Sequence, residues 1–134
     1  MGKLRSQNIK GDNQLMVRVY FDNSPVNRPK DTNKISLKII GHAEQADIGH
    51  DIVCASCSIL AYTVAQLVKN AEVAGDLKAP AKIKIEKGDA YISCKPTKEA
   101  YETILSAFMF AEVGYKLLAH NYPQFVKLSS FGTV

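Results

Sequence analysis

Leu15, Val17, Val19 and Phe21 alternate with Met16, Arg18 and Tyr20. That period of two predicts a half-buried strand over residues 14–22. Residues 23–33 carry Pro25 and Pro29 among Asn and Asp, the chemistry of turns and loops. Alternation resumes over residues 34–40, with Ile35, Leu37 and Ile39 on one side and Ser36 and Lys38 on the other. The two runs predict an antiparallel pair joined by a long loop. Residues 41–50 show no period and are bracketed by Gly41 and Gly49, which predicts a mobile loop.

A helix is expected next, capped by Asp51, whose carboxylate can accept from backbone N–H groups two and three residues on. It runs to about residue 74, where Gly75 suits a left-handed C-cap and Pro80 blocks continuation. Ile52, Ala55, Ile59, Leu67 and Val68 spread over more than one stripe. The helix is therefore predicted to be buried on most sides, against a sheet and a second subunit. Its apolar run holds Ser56, Ser58, Thr63 and Gln66 and falls short of the roughly 20 apolar residues a span needs, so no membrane is expected.

Residues 82–86 and 90–94 read as a hairpin turning at Lys87-Gly88-Asp89. Thr97 then predicts the cap of a second helix reaching about His120. Tyr101, Ile104, Phe108, Ala111, Tyr115 and Leu118 form its core stripe, and Asn121-Tyr122-Pro123 stops it. The predicted fold is α+β, in the order β-β-α-β-β-α: a mostly antiparallel sheet packed against two helices. The expected organisation is a lead-in over 1–13, one domain over 14–121 and a tail over 122–134.

A chain of 134 residues, 46% hydrophobic and 22% charged, is one ordinary globular domain. The net charge of +4 contains no block of five or six like charges, so a nucleic-acid arm is not expected. Lys34, Lys38, Lys82, Lys84 and Lys87 are predicted to gather on one sheet face or edge, solvated or meeting RNA or an acidic protein. No GxGxxG or P-loop signature supports a nucleotide site. Three cysteines without an apolar leader suggest reduced thiols and a cytoplasmic location.

The candidate chemistry lies between Gly41 and Ser58. Cys54 falls near the predicted helix start, where free N–H groups and the helix dipole favour negative charge and could serve as an oxyanion hole. His42, twelve residues earlier, is a candidate base for a Cys nucleophile. Other readings of the same residues stay open. Cys54 could be a plain core thiol. Cys54 and Cys57 form a CxxC that could be a redox dithiol, or could hold zinc together with His42 and His50.

Gly41-His42-Ala43, Gly49, the run Asp51-Ile52-Val53-Cys54-Ala55, and Ser58 resemble the signature of the ribosomal-processing cysteine proteases, the Prp or YsxB-like family. The His-to-Cys spacing, the later hairpin and the closing helix match as well, over roughly residues 15–121. The resemblance implies a homodimeric peptidase without metal or organic cofactor, with Cys54 as nucleophile and His42 as base. It implies that Gly41, Gly49, Asp51 and Ser58 shape the site, and that the loop after His42 closes over the bound peptide. Its implied substrate is the N-terminal extension of large-subunit ribosomal protein number twenty-seven. Cys57 stands where that family usually carries a small or apolar residue. A non-catalytic, ribosome- or RNA-associated dimer and a zinc or dithiol protein are the alternatives.

Overall fold

The computed structural model describes residues 16–23, 34–41 and 48–131, with side chains in the last stretch from 52 to 129. The elements are β1 (Val17–Asp22), β2 (Ile35–Ile40), α1 (Ile48–Val73), β3 (Lys82–Glu86), β4 (Asp89–Cys94), α2 (Tyr101–Asn121) and β5 (Val126–Phe131). The expected lead-in over 1–13, most of the 23–33 loop and the last three residues lie outside the described residues.

The strands form one sheet in the order β3-β4-β2-β1-β5. β1 pairs antiparallel with β2, Val19 facing Ile39 and Phe21 facing Leu37. β2 pairs antiparallel with β4, and β4 with β3. The inward side chains are the ones that the period of two selects: Val17, Val19 and Phe21, then Ile35, Leu37 and Ile39, then Ala90, Ile92 and Cys94, all buried. Both helices cover this one face. Val53, Cys57, Ala61, Val64 and Val68 are the buried stripe of α1, and Ile104, Phe108, Ala111 and Tyr115 that of α2. The fold is thus the expected two-layer α+β.

Three expectations are corrected. The first concerns the tail. Residues 126–131 are strand β5, which lies parallel to β1 with Val126 beside Val17 and Leu128 beside Val19. The domain therefore extends past residue 121. Burying Val126 on that edge stabilises it by about 2 kcal/mol.

The second concerns α1, which is long and apolar enough by length and composition to cross a membrane. Only one of its faces meets the sheet. Ile52, Ile59, Tyr62, Leu67 and Val73 are exposed in the single chain, the side on which contact with a second subunit is expected.

The third concerns α2, which starts at Tyr101 rather than directly after Thr97. The Thr97 hydroxyl instead accepts from the Ala100 N–H at 3.2 Å and holds the turn ahead of the helix. At the end of α1, Gly75 takes φ +81° as expected of a C-cap, and its N–H bonds the Glu72 carbonyl at 3.1 Å.

Candidate active site

The first half of α1 crosses the sheet where β1, β2 and the β3–β4 turn come together. Between them lies a cleft of about 330 Å³. Cys54 and Ser58 line it from α1, one helical turn apart on one face, with Tyr62 a turn further. Val17, Ile39 and Ile85 make an apolar floor. Glu86, Lys87, Gly88 and Asp89 form a polar rim, in which Asp89 accepts from the Lys84 ammonium at 2.8 Å. That bond, followed by the lysine's charge, holds the Asp89 carboxyl below its usual range.

Gly41 closes the cleft at the end of β2. Its backbone sits at φ +101°, a region that side chains rarely adopt. A Cβ built there would run into the Met16 carbonyl oxygen. Its N–H bonds the Gly88 carbonyl at 2.9 Å, tying β2 to the β3–β4 turn. Two of the cleft's walls are joined through this one peptide, and only glycine fits there.

The start of α1 departs from expectation. The helix begins at Ile48, three residues before Asp51. Gly49 and Asp51 are therefore helical residues, and Asp51 is not the cap. Only the residues before 48 remain for the loop, and those after Gly41 lie outside the described residues. Cys54 is six residues into the helix, about 9 Å along its axis, rather than in its first turn. Its N–H belongs to the intrahelical ladder and cannot serve as a free oxyanion donor, and the dipole's influence fades beyond the first turn. His42 lies outside the described residues, as does the side chain of His50.

The three thiols differ in kind. Cys54 is half-buried on the cleft wall. Cys57 is 5% exposed, and burial, then the nearby Cys54, pushes its thiol up to about 12. Cys94 is buried in β4, and burial alone pushes it to about 12. Both are neutral thiols at physiological pH. That counts against a reactive dithiol at Cys57. Among the described residues no group of three or more His, Cys, Asp or Glu converges as a metal site would need.

Beneath the cleft, the buried Tyr115 hydroxyl donates to the Cys57 carbonyl at 2.9 Å, and its ring meets Phe21 edge-on with centroids 5.8 Å apart. Burial, then the Cys57 charge, raises its phenol. This bond pins α2 to the turn of α1 that follows Cys54.

Gly41, Cys54 and Ser58 line one cleft. Tyr62 and the β3–β4 turn were not anticipated. Tyr62 is legible in hindsight, eight residues past Cys54 on the same helical face. The hairpin's approach depends on strand order, which no local pattern carries.

The described geometry is thus a half-buried thiol on a helix wall that lines a cleft over the sheet. A family model described as "Cysteine protease Prp" matches residues 16–127. The chain belongs to the cysteine protease Prp family. No curated protein sequence matches the chain. It is similar in structure to SMU.848 from Streptococcus mutans, at 26% identity and a TM-score of 0.58, covering 87% of this chain and 97% of that one. It is similar also to the essential ribosomal processing protease Prp from S. aureus in complex with a substrate peptide. There identity is 18% and the TM-score 0.58, over 86% of this chain and 99% of the other. The same S. aureus protease with a covalently linked product peptide gives 19% identity and a TM-score of 0.56 over the same shares.

Proposed function

We propose that this cysteine protease works through a Cys54–His42 dyad. It would remove the N-terminal extension of large-subunit ribosomal protein number twenty-seven during ribosome assembly in the cytoplasm. The observation that carries the reading is the contrast among thiols: Cys54 and Cys57 both line the cleft, but Cys54 is half-buried there, whereas Cys57 is 5% exposed and Cys94, outside it, 2%. Gly41 lines the same cleft, and His42 is the next residue in the sequence.

His42 takes the Cys54 proton as the sulfur attacks the scissile carbonyl carbon. The tetrahedral adduct collapses, the C–N bond breaks, and the proton passes from His42 to the leaving amine. Water then hydrolyses the thioester, with His42 as base, and restores the thiol. Ser58, one turn from Cys54, and the fixed Gly41–Gly88 rim position the peptide. No metal or cofactor enters these steps.

A homodimer is proposed through the outer face of the two helices, where Ile59, Phe110, Val113 and Leu117 are 63%, 78%, 54% and 59% exposed. So large an exposed apolar surface is unusual on a monomer. Light scattering should give twice the chain mass, and Phe110→Glu should give a monomer. A native monomer would end this part of the reading.

Cleavage is tested by mass spectrometry on the extended ribosomal protein, with the native chain, Cys54→Ala, His42→Ala and Cys57→Ala in parallel. A single cut that is lost in the first two variants and kept in the third is expected. A cut that survives Cys54→Ala would overturn the assignment.

A further inference from the structure

The sheet face turned away from the helices carries a pattern that the protease reading does not use. Strand register places Lys84, Tyr91, Lys38 and Tyr20 in one row across β3, β4, β2 and β1. Lysine and tyrosine alternate along it. Adjacent strands are about 4.8 Å apart, so the two rings stand about 10 Å from each other with Lys38 between them.

The next row runs from Lys82 through Ser93 and Ser36 to Asp22. A shallow depression of about 460 Å³ lies over these rows, lined by Tyr20, Tyr91, Lys34, Lys38 and Asp22 among others. Lys84 is occupied by Asp89 and Glu86, at 2.8 and 4.0 Å. On the same face Lys38, Lys82 and Lys34, which bonds Tyr91, outnumber Asp22. Tyr91 is held in place. Burial alone would raise its phenol, but bonds with Ser93 and Lys34 and the charges of Lys34 and Lys82 outweigh it and bring it below its ordinary value.

Lysines alone would suit any polyanion. Two partly exposed rings flanking a lysine on an open sheet add stacking platforms, spaced for unpaired bases with phosphate between them. We propose that this face binds single-stranded RNA, with Tyr20 and Tyr91 stacking on two bases and Lys34, Lys38 and Lys82 meeting the phosphates. The preference for RNA over DNA rests on the ribosomal reading above; the stacking and charge geometry stands without it.

The test is fluorescence anisotropy of the full chain with a labelled, unstructured RNA of about ten nucleotides, titrated at several salt concentrations. Three phosphate contacts predict a slope of about −2 in log affinity against log salt. Tyr20→Ala and Tyr91→Ala should each weaken binding by about five- to 150-fold. Lys38→Glu should weaken it further and flatten the salt slope.

Tyr91→Ala should keep native peptidase activity, because it lies on the face opposite Cys54; that readout reports a folded chain. Four results would each overturn the proposal: no RNA binding, binding indifferent to both tyrosines, equal affinity for DNA of the same sequence, or Lys38-dependent capture of a polyglutamate peptide instead. Ribosomal-protein cleavage is read separately, so failure of either function leaves the other standing.

Discussion

Alkylation of the native protein separates the three cysteines quantitatively. The perturbation is a short exposure to iodoacetamide near neutral pH, followed by peptide mass spectrometry. Only a thiolate reacts. Cys57 and Cys94 are pushed by burial from 9.0 to about 12, which cuts their thiolate population about a thousandfold relative to an ordinary thiol. Exposures of 5% and 2% also keep the reagent away from their sulfurs. Cys54 lies half-buried on the cleft wall, where the reagent can reach its sulfur.

One carboxamidomethyl group per chain is therefore expected, at Cys54, with Cys57 and Cys94 left unmodified over the same exposure. Peptidase activity should fall in step with Cys54 modification. Cys57→Ala should retain activity at a cost of about 1 kcal/mol in stability, since it removes one buried sulfur. Labelling of Cys57 at a rate comparable to Cys54 would refute the argument and revive the dithiol reading.

Three further predictions concern the scaffold. Tyr115→Phe removes the hydrogen bond to the Cys57 carbonyl and leaves the ring packing. The expected cost is about 1 kcal/mol, or a melting point lower by about 3 °C, and an unchanged melt would show that the bond contributes nothing. Gly41→Ala forces a side chain into a left-handed backbone against the Met16 carbonyl. We expect more than about 2 kcal/mol of destabilisation and loss of cleavage, and a stable, active variant would sink the rim argument.

The third is alkaline lability. Cys57 and Cys94 have raised folded-state values, so the native chain keeps protons that the unfolded chain releases. Their stabilisation is full below about pH 9 and is lost as pH rises toward about 12, roughly 3 kcal/mol for both at pH 10. Urea midpoints at pH 8 and pH 10 measure this, and a Cys57→Ala, Cys94→Ala double variant should show a smaller drop than the native chain.

Much of this molecule is written locally. β1, β2, β3 and β4 are legible because successive side chains on a strand point to opposite faces, so Val17, Val19 and Phe21 announce a buried side wherever the strand lies. The Cys54–Ser58 face of α1 follows in the same way from helical spacing. β5 also carries its signal, Val126 and Leu128 alternating with Lys127 and Ser129. The run is short, follows Pro123, and becomes a strand only beside β1.

The start of α1 misleads because Asp51 satisfies a capping rule that the chain does not use; helical residues before it make Asp51 an interior position. Which cysteine is accessible depends on how α1 is rotated against the sheet: Cys54 and Cys57, three positions apart, both line the cleft, the first half-buried and the second buried. The Gly41–Gly88 rim and the lysine–tyrosine row depend on strand order and register. The sequence by itself determined β1 to β4, the two helices, their buried faces and the family signature, because those depend on near neighbours along the chain. Only the tertiary structure decided which thiol is exposed in the cleft and which side chains meet across the sheet, because those contacts join residues far apart in sequence.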